Sequence, residues 1–151
     1  MANSEVQQNK MILKVVSPYE VFYEGEVDRV VIPASDGQFG ILPGHSPYVV
    51  ALMPGITRFD IGEEKKSFVI SEGYAEVARH TVLIVCNAAE WPESIDTERA
   101  EQALERATKR YNSVTSTEEQ RFYAKHAILR AKARIQIAAE RNNCKSDRKG
   151  R

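Results

Sequence analysis

From Glu93 to Lys149 the chain contains neither glycine nor proline, and every proline and seven of the eight glycines lie at or before Pro92. Nothing in that stretch forces the backbone to turn sharply, so it reads as helix. Cysteine is almost as scarce. Cys86 stands in an apolar run and Cys144 in a polar one, with no metal-ligand spacing. A disulfide framework and a zinc site are excluded, and reduced thiols in a cytoplasmic-type compartment are the simpler reading. Apolar runs are all far shorter than the roughly 18–20 residues that span a bilayer, so direct membrane insertion is not expected. The first ten residues, Met1 to Lys10, have no apolar stretch, and the expectation is that no secretory signal is present.

Catalytic motifs are also missing. The sequence has no P-loop and no nucleophile elbow. Its three histidines, His45, His80 and His126, sit in unrelated segments and read as turn, strand-end and helix-surface residues. No catalytic residue and no metal ligand is assigned, and the chain is expected to catalyse nothing alone.

What the chain does have is a strong charge asymmetry. Residues 1–120 carry 11 Lys+Arg against 19 Asp+Glu, net −8; residues 121–151 carry 10 against 2, net +8. The formal net charge of zero therefore hides a basic C-terminal arm on an acidic body. At 42% hydrophobic and 28% charged the composition is that of a globular chain and not a disordered one.

Between Met11 and Ala88 the pattern is short apolar or alternating runs. Ile12–Val16, Val21–Tyr23, Val27–Ile32, Tyr48–Leu52, Ile56–Ile61, Ser67–Ile70, Tyr74–Ala78 and Thr81–Cys86 read as strands, separated by turns such as Ser17-Pro18, Glu24-Gly25, Leu42-Pro43-Gly44 and Met53-Pro54-Gly55. Such spacing without helical crossovers predicts an antiparallel β-sandwich or barrel of about ten strands. After Pro92 the period becomes helical. Ala100, Ala103, Leu104, Ala107 and Tyr111 share one face of a first helix, capped by Asp96 and ending near Asn112-Ser113. Ser116-x-x-Glu119 reads as a capping box opening a second helix, with Ala124, Ile128, Ala131, Ile135 and Ala138 as a narrow apolar seam. Two helices with a short joint form an antiparallel hairpin. The layout is thus a polar extension (1–10), a β-sandwich (11–89), a helical hairpin (90–141) and a polar basic tail (142–151). A thin hairpin is marginal alone and must lean on the sandwich or on a partner.

The segment Gly37-Gln38-Phe39-Gly40-Ile41-Leu42-Pro43-Gly44-His45-Ser46-Pro47 is denser in turn residues than a hairpin requires. It reads either as a rigid docking loop or as a crossover between two sheets. With this loop, the strand start Ser71-Glu72-Gly73-Tyr74-Ala75-Glu76-Val77 and the helix start Ile95-Asp96-x-x-Arg99-Ala100, Met11 to Ala139 resembles the ε subunit of bacterial and chloroplast F-type ATP synthases (δ in mitochondria). Glu72 stands where that family usually has a second glycine, and Gln38 where it often has an acidic residue.

The resemblance implies a non-catalytic subunit of the proton-translocating complex, peripheral on the cytoplasmic face of the bacterial inner membrane. Its partners are the γ subunit, the c-ring and the catalytic β (and α) subunits. The β-sandwich is implied to couple γ to the c-ring, with Gln38 and His45 in the ring-facing loop. The hairpin is implied to permit ATP hydrolysis when folded and to block it when extended. The basic arm suits docking on an acidic segment of the catalytic subunits, and Lys125, Lys132, Arg130, Arg134 and Arg141 form the candidate inhibitory set. A solvated helix face is the plain alternative for each. No cofactor is required, but some bacterial members bind a regulatory ATP in the folded hairpin. The matching residues here are Glu90, Ile95, Asp96, Arg99 and Ala100, with Arg130 and Arg134 as i, i+4 neighbours able to hold phosphates together.

Two other classes compete. A nucleic-acid-binding module would use the basic arm to track phosphates, but the β-domain is acidic and lacks basic-aromatic interleaving. An enzyme with a cryptic site would show turnover of the chain alone.

Overall fold

Alternating apolar residues in the first two thirds of the chain build ten strands, and the stretch without glycine or proline builds two helices. The computed structural model describes residues 9–149; residues 1–8 of the expected extension and 150–151 of the expected tail lie outside the described residues. The strands are β1 (Met11–Val16), β2 (Val21–Val27), β3 (Arg29–Ala34), β4 (Gly37–Ile41), β5 (Tyr48–Leu52), β6 (Gly55–Ile61), β7 (Glu64–Ile70), β8 (Gly73–Val77), β9 (Thr81–Cys86) and β10 (Ala89–Glu90). A short 3-10 turn, Pro92–Ser94, leads into α1 (Thr97–Asn112) and α2 (Glu118–Lys149).

The strands join in the order β10-β7-β6-β3-β5-β8-β9-β1-β2, with β4 paired to β3. The path folds over so that its inner faces share one core, including Leu13, Val27, Ile32, Ile41, Phe59, Phe68, Ile70, Val82 and Ile84. Pairing is antiparallel except between β1 and β9, which run parallel. That pair needs no helical crossover, because the rest of the sheet connects the two strands.

Three local features differ from the expected pattern. Val27–Ile32 is two strands, because Asp28 breaks it: its N–H donates to the Asp60 carbonyl at 2.8 Å and its carboxylate accepts from the Gly62 N–H at 2.6 Å. The first half of the Gly37–Pro47 segment is strand β4, which completes the β3 hairpin; its second half is a turn. There Gly44, at φ 89, donates its N–H to the Arg79 carbonyl at 2.7 Å and ties the turn to the β8–β9 connection. A side chain at Gly73 would place its Cβ 2.0 Å from the Val85 carbonyl oxygen, so only glycine lets β8 lie this close to β9.

The helices follow their caps. The Asp96 carboxylate accepts from the Arg99 N–H at 3.1 Å, and α1 ends at Asn112 as its sequence indicates. The capping box of α2 lies one residue later than expected. Thr117 Oγ1 accepts from the Gln120 N–H at 3.1 Å, and Gln120 Oε1 accepts from the Thr117 N–H at 3.0 Å. Ser116 instead donates its hydroxyl to the Arg110 carbonyl at 2.6 Å, closing the end of α1. α2 continues through residues 142–149, so the expected tail is helix as far as it is described.

Buried Ala100 and Ala107 on α1, with Ala124, Ala131 and Ala138 on α2, lie at seven-residue spacing on alanine-lined faces. Small side chains there let the helices approach closely. α2 has a second buried face. Ala133, Ile137 and Ala138 pack with Ile56 of β6, Val69 of β7 and Ile95. Alternation explains this seat: Phe59 and Phe68 face the core, while Ile56 and Val69 point outward and are covered by α2. The hairpin therefore lies folded on one layer of the sandwich, with α2 against the sheet and α1 packed on α2.

Candidate functional site

The hairpin seat combines this small apolar cluster with a set of ion pairs. Burying an isoleucine side chain contributes about 1.5–3 kcal/mol, whereas a partly exposed ion pair contributes roughly 0.2–1 kcal/mol. The cluster of Ile56, Val69, Ile95 and Ile137 therefore supplies most of the adhesion, and the charges set its register.

Arg58 of β6 grips Glu140 of α2 through two parallel hydrogen bonds, at 2.8 and 3.0 Å. Arg130 donates to Glu72 at 3.0 Å. Arg134 donates through its Nε to Glu90 at 3.2 Å, and its Nη2 binds the second Glu90 oxygen. Arg141 donates to the Pro92 carbonyl at 2.6 Å. Four guanidinium groups thus fasten the two elements to each other. Glu72, at the glycine-like position of the strand start, is one of the anchors. Its other carboxylate oxygen accepts from the Asn87 amide at 3.3 Å, so it ties α2 to the β9–β10 turn as well as to β8.

The titration of these carboxylates follows from their partners. The Arg58 hydrogen bond holds Glu140 below the usual glutamate range, against burial that pushes it up; the Gln136 amide and the Arg58 charge act in the same direction as the hydrogen bond. Arg58 is correspondingly raised, chiefly by the hydrogen bond to Glu140. Burial pushes Glu72 up, but its backbone hydrogen bond, the Arg130 charge and the bonds from Asn87 and Arg130 together outweigh it, so it too is lowered.

Of the residues matching the nucleotide motif, Glu90, Asp96, Arg99, Ala100 and Arg134 line one cleft of about 480 Å³, together with Ser94, Ala103 and Arg106. A volume of that size suits a small organic ligand. Arg134 is paired with Glu90, which leaves Arg99 and Arg106 against the single carboxylate of Asp96. Those two arginines are two turns apart, roughly 10 Å along the helix at 1.5 Å per residue. Their spacing matches a chain of phosphates, and Ala100 and Ala103 between them keep the floor open. Ile95 is not at the cleft; it is 6% exposed in the apolar seat. Arg130 is turned away toward Glu72 and does not line the cleft.

The remaining expected sites are dispersed. Lys125 and Lys132 are exposed on α2, whereas Arg130, Arg134 and Arg141 face the sandwich and its connection to the hairpin. Gln38 and His45 are not brought together. Adjacent residues of a strand point to opposite faces: Gln38 lines a groove with Arg29, Arg58 and Glu140, whereas His45 packs edge-on against Phe39 and tilted against Tyr48 at ring-centroid distances of 5.8 and 5.0 Å. Sequence reasoning missed Arg58, Arg106 and Glu140. For Arg106 a signal existed, since it lies seven residues beyond Arg99 on the same face of α1. For the Arg58–Glu140 pair there was none.

A β-sandwich carrying a C-terminal helical hairpin folded back onto one of its layers, with an arginine-lined cleft between the helices, defines the class of this protein. The chain belongs to the ATP synthase delta/epsilon chain family: the beta-sandwich domain profile matches residues 10–92, and the long alpha-helix domain profile matches residues 93–139. It is 39% identical over 127 residues to the ATP synthase epsilon chain of Clostridium novyi (strain NT), covering 83% of this chain and 95% of that one. It is 35% identical to the chloroplastic ATP synthase epsilon chain of Emiliania huxleyi, covering 84% and 97%. Among solved structures it is similar to a chain of the Euglena gracilis mitochondrial ATP synthase, OSCP/F1/c-ring, at TM-score 0.74 and 29% identity, covering 87% of this chain and 82% of that one. Among the described residues no helix is long and apolar enough to cross a membrane.

Because Glu72 and Glu140 are depressed in the folded state, they contribute stability that is fully present above the ordinary glutamate value of 4.5. That contribution is lost as pH falls through their folded values. The fraction of chain unfolded at a fixed denaturant concentration, measured from pH 6 down to pH 3, should rise below about pH 4.5. Glu72→Gln with Glu140→Gln should flatten that rise. An unchanged profile in the double variant would remove these two carboxylates from the seat.

Proposed function

We propose that the chain is a non-catalytic subunit of the central stalk of an F-type ATP synthase, peripheral on the cytoplasmic face of the bacterial inner membrane. Its β-sandwich couples γ to the c-ring during proton-driven synthesis, and its hairpin inhibits ATP hydrolysis when released. The observation that carries this reading is the seat itself. Arg130, Arg134 and Arg141 of the candidate inhibitory set are the residues that set the register of the folded hairpin, and each guanidinium serves one partner at a time. Folding the hairpin down therefore withdraws those contacts from any catalytic subunit; releasing it presents them.

The surface suited to γ is the outer face of the layer that α2 leaves uncovered. Register places Ala51, Tyr74, Val85, Val16 and Val21 in one row across β5, β8, β9, β1 and β2. Tyr74 and Val21 are 44% and 52% exposed, and Val49 beside them is 68% exposed. An apolar row of this length on a sheet face suits a permanent protein partner. The c-ring contact is supported by membership of the family and by the likeness to the Euglena gracilis assembly, which contains F1 and the c-ring. A nucleic-acid role has no comparable support: three arginines of the basic arm face inward and form no phosphate-tracking stripe.

ATP in the cleft of Arg99, Arg106 and Arg134 bridges α1 to α2. It stabilises the folded hairpin and shifts the population away from the inhibitory form.

The test of the brake is the hydrolysis rate of a catalytic head lacking this subunit, alone, with the full chain, and with the chain cut after Ala89. The full chain should slow hydrolysis and the cut chain should not. Equal rates in all three, with the chain bound to γ, would leave it a coupling piece only. For the cleft, ATP at a hundredfold excess over its dissociation constant should stabilise the full chain by about 2.7 kcal/mol. Arg99→Ala with Arg106→Ala should abolish that gain without disturbing the arginines of the seat. A thermal shift that survives the double change would dismiss the assignment.

A further inference from the structure

A second cleft, of about 510 Å³, shares no residue with the first and involves the part of α2 beyond the matched helix domain. Lys65 and Lys66 of β7 reach it from the sheet, Arg141 and Lys145 from α2, and Trp91 forms a wall. Two carboxylates, Glu93 and Glu140, also line it, but both oxygens of Glu140 are already bound by Arg58. Lys66 pairs with Glu64 at 4.0 Å. Lys65, Arg141 and Lys145 are therefore left around one uncommitted carboxylate, and like charges brought together from two elements oppose the docking of both.

Arg141 adds a sharper signal. One of its terminal nitrogens donates to the Pro92 carbonyl at 2.6 Å, while its Nε is buried and meets no acceptor in the chain. A buried donor without a partner is costly, and a guanidinium edge is shaped to take two oxygens of one anion. The wall is rigid: the Trp91 ring stacks on Phe22 at 4.7 Å and packs against Phe68 at 5.7 Å.

We propose that this cleft is a second anion site, taking a soluble phosphate-bearing ligand of the polyphosphate type. Phosphates concentrate several charges in a small volume, which suits Lys65, Arg141 and Lys145 around one cleft. An acidic peptide spreads its charge over about 3.3 Å per residue. Lys65 and Lys66 belong to the sheet and Arg141 and Lys145 to α2, so the bound anion bridges the two. It holds the last turns of α2 on the sandwich independently of the nucleotide cleft, and the inference stands without the regulatory reading above.

The test uses the full chain carrying Arg99→Ala and Arg106→Ala, so that the first cleft is silent, and sodium pyrophosphate as the probe at constant ionic strength. Trp91 is the chain's one tryptophan, so its fluorescence reports this cleft locally. Pyrophosphate should change that fluorescence saturably. At a hundredfold excess over the dissociation constant it should raise the unfolding midpoint by about 5–10 °C. Lys65→Gln with Lys145→Gln, both exposed and so harmless to the fold, should abolish both effects. Effects that persist in that variant, or that sodium chloride reproduces at equal ionic strength, would overturn the site. Recruitment to vesicles containing phosphatidic acid, without any saturable response to pyrophosphate, would overturn the soluble ligand in favour of a lipid headgroup.

Discussion

Everything distinctive about this molecule depends on how Ile137 of α2 sits against Ile56 and Val69 of the sheet. That contact covers the only outward-facing apolar residues of β6 and β7 in the cluster and gives the long helix a second buried face. It is also small. A few aliphatic side chains at about 1.5–3 kcal/mol each, before the ordering cost is subtracted, give an attachment that a partner can compete away. The sandwich core, with Phe59, Phe68 and a dozen further aliphatic residues, has no such weakness. The molecule therefore combines a large, well-packed body with a lightly seated arm, and the division lies at the Pro92–Ser94 turn.

Charge decides where the arm rests. Arg58 points outward from β6 because its neighbours Thr57 and Phe59 point into the core, and that orientation alone brings it to Glu140. Glu72 does the same for Arg130 near the middle of α2, and Glu90 for Arg134. None of these pairs adds much stability where it is solvent-exposed. Together they fix the rotation and register of α2, and they keep the arginines of the arm occupied while the hairpin is folded. Adhesion and register are thereby separated: the apolar seat sets how firmly the arm is held, and the ion pairs set where it rests.

Much of this was legible in the residues. The switch from period-two alternation to helical period, the Asp96 cap, the end of α1 at Asn112 and the alanine seam each follow from local physics, and the structure contains them. The limits are equally local. Gly37-Gln38-Phe39-Gly40-Ile41 has two glycines in five residues, so β4 hides in what reads as a loop. Ser116-x-x-Glu119 and Thr117-x-x-Gln120 both satisfy the capping pattern, and only the backbone geometry selects the second. Ile137 falls off the expected seam because a helix packed on two partners has two apolar faces, and a single-stripe reading finds one. The pairing of Arg58 with Glu140 spans 82 positions, and no pattern in one sequence encodes a contact set by the docking of two finished elements. Arg130 shows the same limit from the other side: its spacing from Arg134 suggested a shared ligand, but the sheet beneath it supplies Glu72 first.

The claim that the ion pairs fix the register in which the arm rests is tested most directly by exchanging one of them. The hydrolysis rate of a catalytic head should be measured with Arg58→Glu, with Glu140→Arg, and with both changes in one chain. The account expects each single reversal to deepen inhibition severalfold by releasing the hairpin, and the double reversal to return inhibition to the level of the parent chain. Equal inhibition by the parent and all three variants would contradict it.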